Sequence, residues 1–292
     1  MDNTITLKAL AKINLGLDVL GKRENGYHDV RMVMQTIYLY DNVSLTREEE
    51  PGIRVECNLK YLPIDGNNIA YKAAKLLMDE FGIQEGVRIV LDKHIPVAAG
   101  LAGGSSNAAA VLVGMNRMFR LGLSQEELMK RGVLLGADVP YCIMRGTVLA
   151  EGIGEILTPL PSLPKCCVLI AKPGISVSTK MVYEKLDAQT IQDHPDIDGI
   201  LEGLERQDIK QIASSMGNVL ENVTVGQYPV IDDIKKVMLE EGALNAMMSG
   251  SGPTVFGIFE DRQMARNAQR KIREMNIARQ VYVANVHNVR RK

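Results

Sequence analysis

The sequence predicts an α+β protein of two domains, and three observations carry that prediction. Strand-like runs follow one another from Ile5 to about Val55 before any helical pattern begins. The stretch Leu157–Pro164 holds the run PLPSLP, whose X-Pro pairs break helix and strand alike, so the boundary is expected there, with domains over 1–160 and 161–292. Beyond it the elements follow the order β-α-β-β-α-β, which is ferredoxin-like. At 292 residues and 46% hydrophobic, the chain can fill about two cores.

The early strands are the runs ITLKALAKI, LGLDVL, VRMVMQTIYLY and NVSLTRE, with turn material from Gly21 to Gly26. Asn67 and Asn68 can cap a helix in which Ile69, Ala70, Ala73, Ala74, Leu77 and Phe81 share a face, with Gly82 as the stop. Val87–Leu91 reads as a strand. The glycine-rich stretch after Pro96 opens into a helix over Ser105–Phe119, and Ser124 with Glu127 forms a capping box for a helix to about Leu135. Gly136 to Pro140 is expected to interrupt that helix, leaving Asp138 in a turn.

In the second half, Cys166–Ala171 reads as a strand and Ser178–Leu186 as a helix. A helical insertion occupies about Asp196–Val225. Pro229–Glu241 is an amphipathic helix with proline at its start and Gly242 at its end. Strands at Leu244–Met248, Thr254–Phe259 and Gln280–Val286, with a helix at Arg262–Glu274, complete the order.

Charge and composition exclude several classes of function. Lys plus Arg number 34 against 35 Asp plus Glu, so no excess of positive charge holds a nucleic-acid polymer or an anionic membrane. Aromatics are 4% with no Trp, which argues against a row of base-stacking platforms. Cys57, Cys142, Cys166 and Cys167 contain no C-x-x-C pair and no zinc spacing, so reduced thiols and a cytoplasmic location are expected. No stretch is long and apolar enough to span a bilayer. Nothing in the surface pattern chooses between monomer and homodimer.

In PVAAGLAGGSSNAAA, Gly100, Gly103 and Gly104 remove side chains where a backbone must approach a ligand. Ser105 and Ser106 put hydroxyls at the first turn of a helix, so N–H groups, dipole and hydroxyls favour a polyphosphate with its magnesium. A tight strand-to-helix connection explains the same glycines, and both readings stand at this point. No G-x-x-x-x-G-K-[ST], G-x-G-x-x-G, H-R-D or D-F-G is present, and Asn107 stands where the G-x-S-x-G elbow needs glycine. In AKIN, strand alternation puts Lys12 and Asn14 on one face, and MMSGSGPTVF is a second glycine-serine turn between strands. By themselves, Lys12 also reads as an edge lysine in water and Asp138 as a turn aspartate.

Taken in order, AKINLGLDV, Gly26-Tyr27-His28, PVAAGLAGGSSNAA, LGADVP, EGIGEILTPLP and SGSGPTVF resemble the motifs of the GHMP kinase superfamily over nearly the full length. Within it they resemble the branch whose acceptor carries cytidine diphosphate. The resemblance implies a ribosomal-protein-S5-domain-2-like N-terminal domain, a ferredoxin-like C-terminal domain and an active site in the cleft between them. It implies ATP and magnesium as cofactors, and transfer of the γ-phosphoryl group to an alcohol of a small molecule. Catalysis falls to Asp138 as proton acceptor and Lys12 as charge stabiliser, with Asn14 orienting the acceptor hydroxyl. The ATP phosphates fall to Pro96, Val97, Ala98, Ala99, Gly100, Leu101, Ala102, Gly103, Gly104, Ser105 and Ser106, with Ser105 or Ser106 near the metal and Ser249–Pro253 lining the same cleft. The cytosine falls to Tyr27, His28 and Tyr183. Some relatives are expected to carry an aromatic next to the base where this sequence has Met34. Kinases of homoserine or mevalonate, and a nucleotide-binding regulator without catalysis, are the rival readings.

Overall fold

The computed structural model describes residues 3–24, 26–186, 191 and 193–289; Asn25, part of the first expected turn, lies outside them. The chain forms two compact units, each drawn from several segments: Met1–Ala11, Leu39–Val97 and Ala102–Met144 make one, and Lys12–Tyr38, Ala98–Leu101 and Arg145–Lys292 the other. The four expected early runs merge into two long strands, β1 (Thr4–Lys22) and β2 (His28–Glu48). From Ala9 to Val19 every residue of β1 is buried, polar ones included, which leaves no exposed position at which the strand would break.

In the first unit, β3 (Ile53–Cys57), α1 (Ile69–Phe81) and β4 (Gly86–Asp92) form a parallel β-α-β crossover, and the strand order is β3-β4-β2-β1. β4 runs antiparallel to β2, with Asn42 opposite Asp92 and Glu48 opposite Gly86. Asn68 caps α1 by accepting from the Ala70 N–H at 2.9 Å, and Ala70, Ala73, Ala74 and Leu77 are buried as their spacing requires. α1 packs on α2 (Gly103–Met118), whose buried Ala108, Val111, Leu112 and Met115 make it a core helix. α2 begins two residues before the expected start, so Gly103, Gly104 and Ser105 all lie in its first turn. The Ser124–Glu127 capping box opens α3 (Gln125–Val133).

Residues 136–140 do not form the simple interruption that was expected. Asp138 is the first residue of a further helix, α4 (Asp138–Met144). Pro140 lies in the first turn, where its missing N–H has no intrahelical partner to lose, so Asp-Val-Pro starts a helix here.

In the second unit, β5 (Thr147–Glu151) pairs with β2 and with β6 (Ile156–Pro159). A separate sheet contains β7 (Cys167–Lys172), β9 (Asn245–Met248), β10 (Val255–Phe259) and β11 (Gln280–Asn285). Its order is β11-β7-β10-β9 with every neighbour antiparallel, the ferredoxin-like arrangement read from the sequence. Three helices punctuate these strands: α5 (Thr179–Lys185), α9 (Val230–Glu240) and α10 (Arg262–Glu274). α9 and α10 pack on the sheet through Ile234, Met238, Ala268 and Ile272, over a β10 that is buried throughout. The insertion consists of α6 (Ile197–Arg206), α7 (Ile209–Ser215), the two-residue β8 (Gly217–Asn218) and α8 (Glu221–Gln227). β8 lies parallel to β1 at Gly16 and Leu17.

Candidate active site

In the second unit, β1 presents Lys12 and Asn14 on one face, and both are buried, at 5% and 0% exposure. Lys12 Nζ donates to Asn14 Oδ1 at 2.7 Å, and the Asn14 amide nitrogen lies 3.5 Å from Met32 Sδ. The ammonium is therefore held in place and is not an edge lysine in water. The Lys12 N–H donates to the Leu101 carbonyl at 3.2 Å, which ties the loop segment 98–101 to the strand.

The turn after β9 meets the same loop segment. Ser249 Oγ donates to the Gly100 carbonyl at 3.0 Å. Gly100 has φ +71, and a Cβ built on it would lie 2.0 Å from the Ser249 carbonyl oxygen, so only glycine fits. Gly250, at φ +57, approaches Lys12 closely: its Cβ would stand 3.5 Å from Nζ and 3.4 Å from the Gly100 oxygen. Lys12, Asn14, Gly100, Ser249 and Gly250 thus form one cluster.

His28 and Tyr183 form another, with ring centroids 5.2 Å apart at a tilt of 43°. His28 is buried, and burial, followed by the charge of Lys22, holds its imidazole below the ordinary value of 6.5. Tyr27 follows a tight turn in which the Arg23 N–H donates to its carbonyl at 2.7 Å, and its side chain is 59% exposed. Met34 is fully buried in the β2 core.

In the first unit, the start of α2 is free of side-chain capping and of acidic residues in its first turn. The first N–H groups of a helix lack intrahelical acceptors, so this end suits an anion. Ala102 before it holds a left-handed backbone at φ 55, a conformation that costs an L-residue roughly 1–2 kcal/mol, and Ala98, in the second unit, does the same at φ 50. Pro96, Ala99 and Leu101 are buried, while Ala98 and Gly104 are exposed and Val97, Ala102, Gly103 and Ser105 half-buried. The two serines differ. Ser106 is buried and its hydroxyl donates to the Leu10 carbonyl at 2.5 Å, beside Cys142 Sγ at 3.2 Å, whereas Ser105 forms no side-chain hydrogen bond among the described residues.

Both ends of the glycine-rich stretch are anchored by Asp41, which is completely buried. Its Oδ1 accepts the N–H groups of His94 and Ile95 at 2.7 and 2.8 Å. Its Oδ2 accepts Lys93 Nζ at 2.6 Å and the Asn107 amide at 2.8 Å, and Lys93 also donates to Asn107 Oδ1 at 2.7 Å. Asp138 is half-buried and, among the described residues, has neither hydrogen bond nor ion pair on its carboxylate. That leaves the group available to a ligand.

Sequence reasoning missed Asp41 and Lys93, and in the second unit Asn218 and Glu221, which hold the Ser249 turn. The available signal was a charged residue inside an apolar strand, YLYDNV and IVLDKHI, where burial demands a partner.

A strand cation beside two glycine-serine turns, on a fold whose second sheet is ferredoxin-like, defines a small-molecule kinase of the GHMP type. The model of the GHMP kinases N terminal domain matches residues 68–146, and that of the GHMP kinases C terminal matches residues 200–278. The chain is 60% identical over 279 residues to the 4-diphosphocytidyl-2-C-methyl-D-erythritol kinase of Lachnospira eligens, covering 96% of this chain and 97% of that one. It is 51% identical over 282 residues to the kinase of the same name from Clostridioides difficile, covering 96% and 95%. The crystal structure of a 4-(cytidine 5'-diphospho)-2C-methyl-D-erythritol kinase superposes with a TM-score of 0.84 at 31% identity, over 98% of this chain and 100% of that one. The chain belongs to the 4-diphosphocytidyl-2-C-methyl-D-erythritol kinase family. The homoserine kinase of Cytophaga hutchinsonii, at TM-score 0.81 and 24% identity over 98% of this chain and 96% of that one, shares the fold.

Proposed function

We propose that the chain transfers the γ-phosphoryl group of ATP to the 2-hydroxyl of 4-diphosphocytidyl-2-C-methyl-D-erythritol, in the non-mevalonate (methylerythritol phosphate) route to isoprenoid precursors. The name shared by its relatives supports the acceptor. One observation carries the chemistry: Lys12 Nζ, fixed on Asn14 Oδ1 beside Gly100 and Gly250, is a buried cation awaiting negative charge. The acceptor oxygen forms a bond to the γ-phosphorus as the bond to the β-bridging oxygen breaks, ADP leaves, and the hydroxyl proton passes to the Asp138 carboxylate. Lys12 stabilises the charge spread over the transferring group, and Asn14 orients the hydroxyl.

Residues 96–106 hold the phosphates of ATP in this reading, with Ser105 as the hydroxyl that suits magnesium, since that of Ser106 is already committed. Among the described residues no group of three His, Cys, Asp or Glu converges. Magnesium keeps water and phosphate oxygens as most of its ligands, which is compatible with a single protein hydroxyl. Held there, the metal would supply neutralisation of the charge on the transferring phosphoryl group. Tyr27, His28 and Tyr183 hold the cytosine, by stacking and hydrogen bonding. Residues 1–160 serve as the ATP-binding domain and 161–292 as the second domain; one family model falls on each side of that boundary. The reaction belongs in the cytoplasm in this reading, in keeping with four cysteines that form no disulfide.

A coupled ATP assay with the cytidylyl acceptor, homoserine and mevalonate tests the reading. Turnover of the first alone is expected; turnover of another in its place overturns the acceptor assignment. Asp138→Asn is expected to lower kcat by roughly 10²–10⁴, and unchanged turnover removes Asp138 from the mechanism.

A further inference from the structure

The insertion 196–225 interrupts the ferredoxin-like order, and two of its residues bear on the site. Asn218, 8% exposed, donates from its amide nitrogen to the carbonyls of Met248 and Gly250, each at 2.8 Å. Its Oδ1 accepts the Leu220 N–H at 3.0 Å. Glu221 Oε1 accepts the Met248 N–H at 2.6 Å, and Lys235 Nζ holds Oε2 at 2.7 Å. Three hydrogen bonds therefore grip the chain on either side of Ser249, and two more steady the side chains that make them. The insertion is joined in turn to the catalytic strand: Gly217 and Asn218 pair with Gly16 and Leu17 of β1, and the Val219 N–H donates to the Leu17 carbonyl at 3.1 Å.

We propose that Asn218 and Glu221 are positioning residues for phosphoryl transfer, setting the Ser249–Gly250 turn against Lys12 and Gly100. Neither touches a reacting atom. β9 is an edge strand, and its terminal N–H and carbonyl need partners whatever the function. Edge satisfaction alone, however, does not account for the Gly250 carbonyl, which lies beyond the strand in the turn that approaches Lys12. An amide bridging two carbonyls spaced two residues apart fixes the course of the backbone between them. An error of about 1 Å in such a site costs on the order of 10²-fold in rate.

The inference rests on the kinase reading, so wild-type turnover of the cytidylyl acceptor is measured first; its absence removes that reading before any variant is compared. Asn218→Asp keeps the shape but turns an oxygen toward two carbonyls. It is expected to lower kcat about 10–100-fold while the acceptor KM stays within about twofold. Asn245→Ala is the control, because the Asn245 amide donates to the Ala213 carbonyl at 2.6 Å at the far end of the same strand. That variant is expected to lower Tm and leave kcat within about twofold. Wild-type kcat in Asn218→Asp, or an equal kcat loss in Asn245→Ala at matched Tm, overturns the proposal. Should Asn218→Asp not fold, Glu221 decides. Glu221→Ala is expected to lose kcat and Glu221→Gln to recover most of it, since its amide oxygen still accepts the Met248 N–H; equal kcat in the two also overturns the proposal.

Discussion

The two glycine-serine segments of this kinase are held by different chemistry. The stretch between Lys93 and Asn107 is anchored by a charge, the buried Asp41 carboxylate with its four donors. The turn at Ser249–Gly250 is held chiefly through main-chain groups, by the neutral Asn218 amide and one oxygen of Glu221. A fully buried charged anchor stands or falls as a set, because removing one partner strands another buried charge, whereas the neutral Asn218 amide and the partly exposed Glu221–Lys235 pair lose their bonds one by one. The first segment should therefore fail as a fold and the second as a catalyst.

The largest test of that contrast is Asp41→Ala. It strands Lys93 Nζ and two N–H groups, and thermal or urea unfolding should report a loss of roughly 3–5 kcal/mol. Adding Lys93→Met should recover part of it. A cost below about 1 kcal/mol, the net worth of one ordinary hydrogen bond, removes the distinction between the anchors. The contrast sharpens within the first segment at its paired serines. Ser106→Ala gives up the bond to the Leu10 carbonyl and should cost about 1 kcal/mol of stability, read from the unfolding midpoint. Ser105→Ala should leave stability unchanged and raise the KM for ATP. The reverse pattern exchanges the roles assigned to the two hydroxyls.

The smallest expected effect concerns His28. Burial, aided by Lys22, lowers its pKa below 6.5, so the neutral ring prevails at neutral pH. The acceptor KM should be flat as pH falls to 6.5 and rise only below it, and His28→Gln should abolish the rise. The sign for stability is the same: the unfolded chain takes up this proton first as pH falls, so the contribution is complete above the unfolded value and declines below it. A KM that rises already above 6.5 contradicts the assignment.

The fold was legible wherever local pattern and tertiary packing agree. The capped helices at Asn68 and Ser124, the helix over Arg262–Glu274 and the ferredoxin-like strand order follow from spacing and caps alone. The helix at Asp138 was not, because Gly-Ala-Asp-Val-Pro reads as a break until the proline is known to sit in a first turn. β1 and β2 read as four runs because strand alternation fails where both faces are buried. Of the site, the residues that meet a ligand in this reading come from recurrent motifs, which a sequence displays. Asp41, Asn218 and Glu221 act across 27 to 66 positions of chain, and no local pattern announces such partners.

Gly100 pressed against the Ser249 carbonyl has a consequence for inhibition. A surface made of backbone offers no side chain that mutation can remove, and at Gly100 any larger residue collides with main chain. A compound that draws its affinity from this main chain would leave a resistant population few substitutions with which to escape, whereas one leaning on the exposed Tyr27 ring could be lost to a single codon change.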